Sequence, residues 1–141
     1  MAHEVFTDAW AQAWCERINQ NQNYKESAGG WEWPLILKMS GKSGTAIEED
    51  RFVFVDLKNG TCLSGRVATK ADIENTPYIV TADAGTWKQI LGGDMDMMTG
   101  ILWGKIRLEK GELGEITKHV SAAKQLVISA AKVDTRFPEN I

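Results

Sequence analysis

Apolar residues recur at two different periods along this chain, and each switch of period marks an element. Trp10, Trp14 and Ile18 fall at i, i+4 and i+8 with Ala13 beside them, which predicts a helix from residue 8 to about residue 22 with Thr7 as N-cap. The polar run Asn19 to Asn23 frays that helix, and Gly29-Gly30 separates it from the first strand. From Trp31 to Met39 the period drops to two. Trp31, Trp33, Leu35, Leu37 and Met39 point one way, and Glu32, Pro34 and Lys38 the other. Pro34 cannot donate to a ladder, which sets that part of the strand at an edge or a bulge.

A polar loop, residues 40–50, leads to apolar runs at Phe52–Leu57 and Cys62–Val67, separated by Lys58-Asn59-Gly60-Thr61. Asn-Gly at this place predicts a type I′ hairpin, because both central residues need positive φ. The turn pairs Leu57 with Cys62 and Val55 with Ser64 on one face, and Phe54 with Gly65 and Phe52 with Val67 on the other. Both faces carry apolar side chains, so the pattern leaves the buried face open. After a second loop, Thr69 to Pro77, comes a strand at Tyr78–Ala82. Thr86 and Gln89 suggest a capping box for a short helix bearing Trp87, Ile90 and Leu91, which stops at Gly92-Gly93. Asp96 is placed to cap another, Met97–Trp103, and Lys105–Lys110 alternates with Ile106 and Leu108 inward. Beyond Gly111 the stripe Leu113, Ile116, Val120, Ala123, Val127, Ala130 predicts one long amphipathic helix to about Val133. No repeat, linker or low-complexity segment interrupts the chain, so residues 1–141 are expected to form a single domain.

Composition narrows the classes. With 43% hydrophobic and 25% charged residues the chain is of globular type, and a net charge of −3 without a basic stripe leaves out the footprint of a nucleic-acid binder. The opening MAHEVFTDAW has neither a basic n-region nor an apolar h-region, and no apolar run approaches a membrane span. A cytoplasmic protein without transmembrane segment is expected. Cys15 and Cys62 lack metal-ligand spacing and an oxidising context, and are expected as reduced core thiols.

The candidate chemical motifs fail on their own requirements. SGKSG would be a phosphate loop only with glycine where Ile36 stands, and a nucleophile elbow only with glycine at Thr45. Asp94 and Asp96 begin like a calcium loop, yet Met98, Thr99 and Lys105 occupy later ligand and glycine positions. His3 and His119 have no second histidine or cysteine at ligand spacing. Glu48, Glu49 and Asp50 form a solvated run, and Asn59-Gly60-Thr61 is a sequon that the hairpin turn explains. No catalytic residue, metal or cofactor is predicted. An apolar surplus remains: six Trp, five Met, and Met95, Met97 and Met98 between two Trp-bearing helices. It reads either as plain core or as the wall of a cavity, since methionine adapts to ligands of variable shape.

VFVDLKNG (Val53–Gly60), YIVTADAGTWKQILGGDMD (Tyr78–Asp96) and GKIRLEKGELGEI (Gly104–Ile116) occur in an order and spacing that resemble the sterol carrier protein type 2-like, or sterol-transfer, lipid-binding family. The FTDAWAQAWCERIN opening is similar to its small stand-alone prokaryotic members, so the resemblance spans nearly the whole chain. Met97 stands where proline is usual, Glu112 where Asp or Asn is common, and PENI is not a peroxisomal signal. The resemblance implies an α+β fold with a five-stranded, mostly antiparallel sheet in the order 3-2-1-4-5 and helices packed on one face around an apolar tunnel. It also implies a non-catalytic intracellular lipid-binding and transfer protein holding a fatty acyl chain, acyl-CoA, phospholipid or sterol-like ligand. Trp14, Trp33, Leu35, Leu37, Trp87, Met95, Met98, Leu102, Ile106 and Val120 are expected to line the cavity, because they lie on the predicted inward faces. The alternative is an interaction or dimerisation module with a closed cavity, docking, as in a homodimer, through Ala122, Ala123, Ala130 and Ala131, and a third reading is an accessory domain acting beside an enzyme.

Overall fold

The computed structural model describes residues 2–141. Along the chain run β1 (His3–Glu4), α1 (Asp8–Asn19), α2 (Gln22–Ser27), β2 (Leu35–Ser40), β3 (Arg51–Lys58), β4 (Thr61–Val67) and α3 (Lys70–Asn75). There follow β5 (Ile79–Asp83), α4 (Ala84–Leu91), α5 (Met97–Leu102), β6 (Arg107–Lys110), α6 (Leu113–Lys118), α7 (Val120–Ala131) and β7 (Thr135–Arg136). Five strands form one mixed sheet in the order β4-β3-β2-β5-β6, with β2 and β5 parallel and the other neighbours antiparallel. The α+β class is as expected. The expected order counted five strands in all; β1 and β7, a short parallel pair outside that sheet, were not foreseen and shift the numbering by one.

The Asn59-Gly60 turn closes β3 on β4 with φ of 50° and 81°, the pair of positive values a type I′ turn requires. Leu57 faces Cys62 as the turn dictates, but a bulge then shifts the register, so that Val55 faces Gly65, Phe54 faces Arg66 and Val53 faces Val67. The pairings expected beyond Leu57 are therefore displaced by one, because Leu63 is the extra residue and turns outward to solvent.

Both sheet faces are used. Leu35, Leu37, Met39, Val53, Val55, Leu57 and Val80 join the large core beneath α1, α4 and α7. Ile36, Phe54 and Ile79 form a smaller cluster on the opposite face, covered by Phe52, Ala68 and Ile73 of α3. Helices do not all lie on one face, then: α3 occupies a stretch expected to be loop. It forms because Thr69 and Asp72 make a capping box, Thr69 Oγ1 accepting from the Asp72 amide at 3.1 Å and Asp72 Oδ2 accepting from the Thr69 amide at 2.9 Å. Cations finish that face: Arg66 stacks 4.3 Å over Phe54, and Lys38 lies 5.3 Å from the Phe52 ring.

Helix α1 crosses the edge strand β4 so closely that a side chain at Gly65 would strike the Ala11 carbonyl. That approach brings Cys15 and Cys62, separated by 47 residues, to a Cα distance of 5.5 Å, and they form a disulfide. The expectation of reduced thiols is overturned, since nothing local in the sequence encodes the crossing. The same helix occupies the free edge of the sheet. Asn19 accepts from the Cys62 amide at 2.8 Å and donates to its carbonyl at 2.9 Å, while Asp8 accepts from the Val67 amide at 2.7 Å.

Other expectations needed correction. Trp31–Pro34 is not strand; β2 begins at Leu35, and Trp31 donates its indole N–H to the Trp33 carbonyl at 3.0 Å. The N-cap of α4 is Asp83, which accepts from the Thr86 amide at 2.7 Å, so Thr86 sits inside the helix. Where fraying was expected, Asn21 caps α2 and ties it to α7 through Ser129 Oγ at 2.9 Å. The long C-terminal helix is broken at His119 (φ −118°, ψ 32°) into α6 and α7.

Candidate functional site

Between the sheet and the α5, α6 and α7 helices lies a cavity of about 320 Å³. Its floor is Leu35 and Leu37 of β2 with the cross-strand pair Val80 and Leu108 of β5 and β6. Trp14 and Trp31 line its wall, Trp14 held by its indole N–H donating to the Leu126 carbonyl at 3.0 Å. The roof is the turn and helix carrying Met95, Met97, Met98 and Ile101, together with Leu113, Ile116, Val120, Ala123 and Val127.

The sequence builds this roof by interruption. Helix α4 ends at Gly92, and Gly93, with φ 81°, turns the chain into the methionine segment in a conformation L side chains rarely adopt. Gly100 lets α5 lie directly on the Ile106 side chain, where a Cβ would collide with it. Short helices meeting at glycines cannot interdigitate as one long helix does, so a gap remains beneath them.

Among the described residues two charged ones border this space, Asp96 and Lys124. Asp96 is committed to the α5 N-cap, accepting from the Met98 and Thr99 amides at 3.1 and 3.3 Å. Lys124 is exposed at the rim and makes no ion pair among the described residues. Perturbed groups lie elsewhere. Tyr24 is pushed up to about 12 by burial, and its hydroxyl has no hydrogen-bond partner among the described residues. Tyr78 is raised by burial and by the Glu115 and Glu112 carboxylates, which outweigh Lys118. Among the described residues no cluster of His, Cys, Asp or Glu fits a metal ion.

Of the residues expected to line a cavity, Trp14, Leu35, Leu37, Met95, Met98, Ile106 and Val120 border this one. Trp33, Trp87 and Leu102 do not. Trp33 stacks on Trp31 with ring centroids 5.3 Å apart and packs against Tyr78 and His119. Trp87 packs elsewhere, its indole donating to the Lys38 carbonyl at 2.9 Å and its ring 5.5 Å from Phe6. Leu102 is 81% exposed, because its neighbour Ile101 takes the inward side of α5. Lining residues not foreseen include Trp31, Ile101 and Leu108, while Met97 belonged to the methionine cluster read as core or cavity wall; Leu113, Ile116 and Val127 were visible as a helical stripe but were not expected at a cavity. Ala122 and Ala130, considered for docking a partner, are buried in the chain's own core.

A mixed sheet roofed by short helices over an apolar cavity is the sterol carrier protein 2-like fold. The structure matches a crystal structure of sterol carrier protein 2 with a TM-score of 0.83 and 28% identity, covering 92% of this chain and 99% of that one. A protein of Thermus thermophilus, described as a possible sterol carrier protein, matches with a TM-score of 0.82 and 28% identity over 96% of this chain and 94% of its own. The palmitated SCP2L2 of Aedes aegypti shares the fold alone, with a TM-score of 0.52 and 18% identity over 79% of this chain and 91% of that one. No protein-family model and no curated protein matches the chain.

Proposed function

We propose that this protein is a non-catalytic lipid carrier that holds one fatty acyl chain in the cavity, with the ligand's polar end at the rim beside Lys124. The observation that carries this reading is a lining that, among the described residues, is apolar except for a spent carboxylate and one ammonium without an ion pair. A volume of 320 Å³ lies at the small end of the roughly 300–1,000 Å³ range of ligand sites, which favours one chain over two. Each methylene removed from water contributes about 0.8 kcal/mol, so a palmitoyl-length tail supplies roughly 12 kcal/mol gross. Association costs of at least about 4 kcal/mol leave about 8 kcal/mol at most, an affinity no tighter than about micromolar. Among the described residues no nucleophile paired with a base borders the cavity, which supports carriage over reaction.

Native mass spectrometry of protein purified from cells, followed by extraction and titration of delipidated protein, tests this. One-to-one co-purifying lipid and a Trp fluorescence change on adding palmitate are expected, since Trp14 and Trp31 line the space. Lys124→Gln should weaken palmitate by up to about fivefold, the scale of an exposed ion pair, and leave hexadecanol unaffected. Protein that is repeatedly empty and indifferent to both ligands would refute the carrier reading.

A further inference from the structure

Helix α5 presents an apolar corner that the cavity does not use. Leu102 and Trp103 are 81% and 69% exposed, side by side where the helix ends in Gly104 with φ 73°. Their exposure follows from register: Met97, Met98 and Ile101 already take the inward face, so the next two residues must project away from it. Lys105 and Arg107 follow within four residues, at most about 14 Å of chain from Trp103. Both are exposed and neither forms an ion pair among the described residues. The neighbouring acid is engaged, as Glu109 binds Lys38 at 3.0 Å. Asp94 and Asp96 lie at the other end of α5, a six-residue helix about 9 Å long, which gives the corner a direction.

We infer that this corner is a docking surface for an anionic phospholipid bilayer. Leucine and tryptophan enter the interface, where an indole ring is favoured, and the two cations meet lipid phosphates. A bilayer suits the corner better than a protein groove because free cations flank the apolar pair without complementary carboxylates to specify a partner. The same α5 helix roofs the cavity, and the half-exposed Leu113 and Val120 continue its apolar rim. Docking therefore brings the cavity roof against the membrane. The purpose of docking rests on the carrier reading; the surface itself does not.

Sedimentation with sucrose-loaded vesicles, of phosphatidylcholine alone or with one-third phosphatidylserine, tests the surface in the intact chain. Wild type should bind the anionic vesicles and be released by salt. Lys105→Gln with Arg107→Gln should lower that partition by about 25-fold, roughly fivefold for each cation lost, with little change on neutral vesicles. Leu102→Glu with Trp103→Glu should lower it about tenfold or more on both. All variants should keep wild-type affinity for palmitate in vesicle-free buffer. Trp103→Phe, a conservative change, should abolish most quenching of Trp emission by brominated lipid. Undiminished partition of the Leu102/Trp103 double variant, quenching that persists without Trp103, or a solution dimer that this variant dissolves would each overturn the inference. Vesicle binding by a wild type that ignores palmitate would instead sink the carrier reading and leave the surface standing.

Discussion

Ala123→Phe separates a cavity from a well-packed core by the sign of its effects. Ala123 lies in α7, half-buried, with its methyl bordering the open space under the roof. If that space is a real void, a phenyl ring enters it without strain and stabilises the delipidated protein by up to about 1.5–3 kcal/mol, the value of burying a phenylalanine. The ring takes the place of ligand: displacing about four methylenes at about 0.8 kcal/mol each removes roughly 3 kcal/mol of binding, a loss of some 200-fold. In a filled core the same change is overpacking, which costs about 1–3 kcal/mol. Urea unfolding of delipidated protein gives the first quantity and palmitate titration by Trp fluorescence the second. A variant that is less stable when empty and binds palmitate as wild type does would refute the reasoning.

Gly65→Ala should destabilise by about 1–3 kcal/mol, because its Cβ meets the Ala11 backbone rather than a flexible side chain, whereas Gly114→Ala, with open space around it, should be neutral or slightly stabilising in the same thermal unfolding assay. Cys15→Ser with Cys62→Ser, or reduction by dithiothreitol, should lower stability by about 4 kcal/mol in the chain-entropy picture for a loop closed across 47 residues, read from urea midpoints. Asp72 is partly desolvated, which alone would raise its carboxyl, but hydrogen bonds from the Thr69 amide, Arg66 and the Thr69 hydroxyl, with the Arg66 charge, bring it below its ordinary 3.8. A carboxylate lowered on folding stabilises above its unfolded value and loses that contribution as pH falls through the folded one. Asp72→Asn should therefore cost up to about 1 kcal/mol at neutral pH, and the difference from wild type should vanish in strong acid when unfolding is followed by circular dichroism.

Local signals and their failures divide by range. The type I′ turn was legible because Asn59-Gly60 satisfies a constraint confined to two residues, and the inward sets of β2 and β6 because strand alternation repeats every second position. The bulge at Leu63 was not, since a one-residue shift leaves apolar side chains on both faces and no pattern penalises it. Helix α5 is too short for periodicity to choose between Ile101 and Leu102. Only its seat on Ile106, through Gly100, settles which one faces the cavity.

The order of residues along the chain was enough for the α+β class, most strand positions and the placement at the cavity of seven of the ten side chains named for it, all of which follow from interactions within a few residues or from a repeating face. Long-range packing alone set the Cys15–Cys62 bond, the break at His119, the placement of Trp33 and Trp87 away from the cavity and the outward turn of Leu102 and Trp103. Each of these depends on which distant element occupies a shared surface: α1 on β4, Trp31 and Trp33 against His119, Ile101 against the cavity. Such competitions are resolved by packing in three dimensions, and the spacing of residues along a chain carries no record of them.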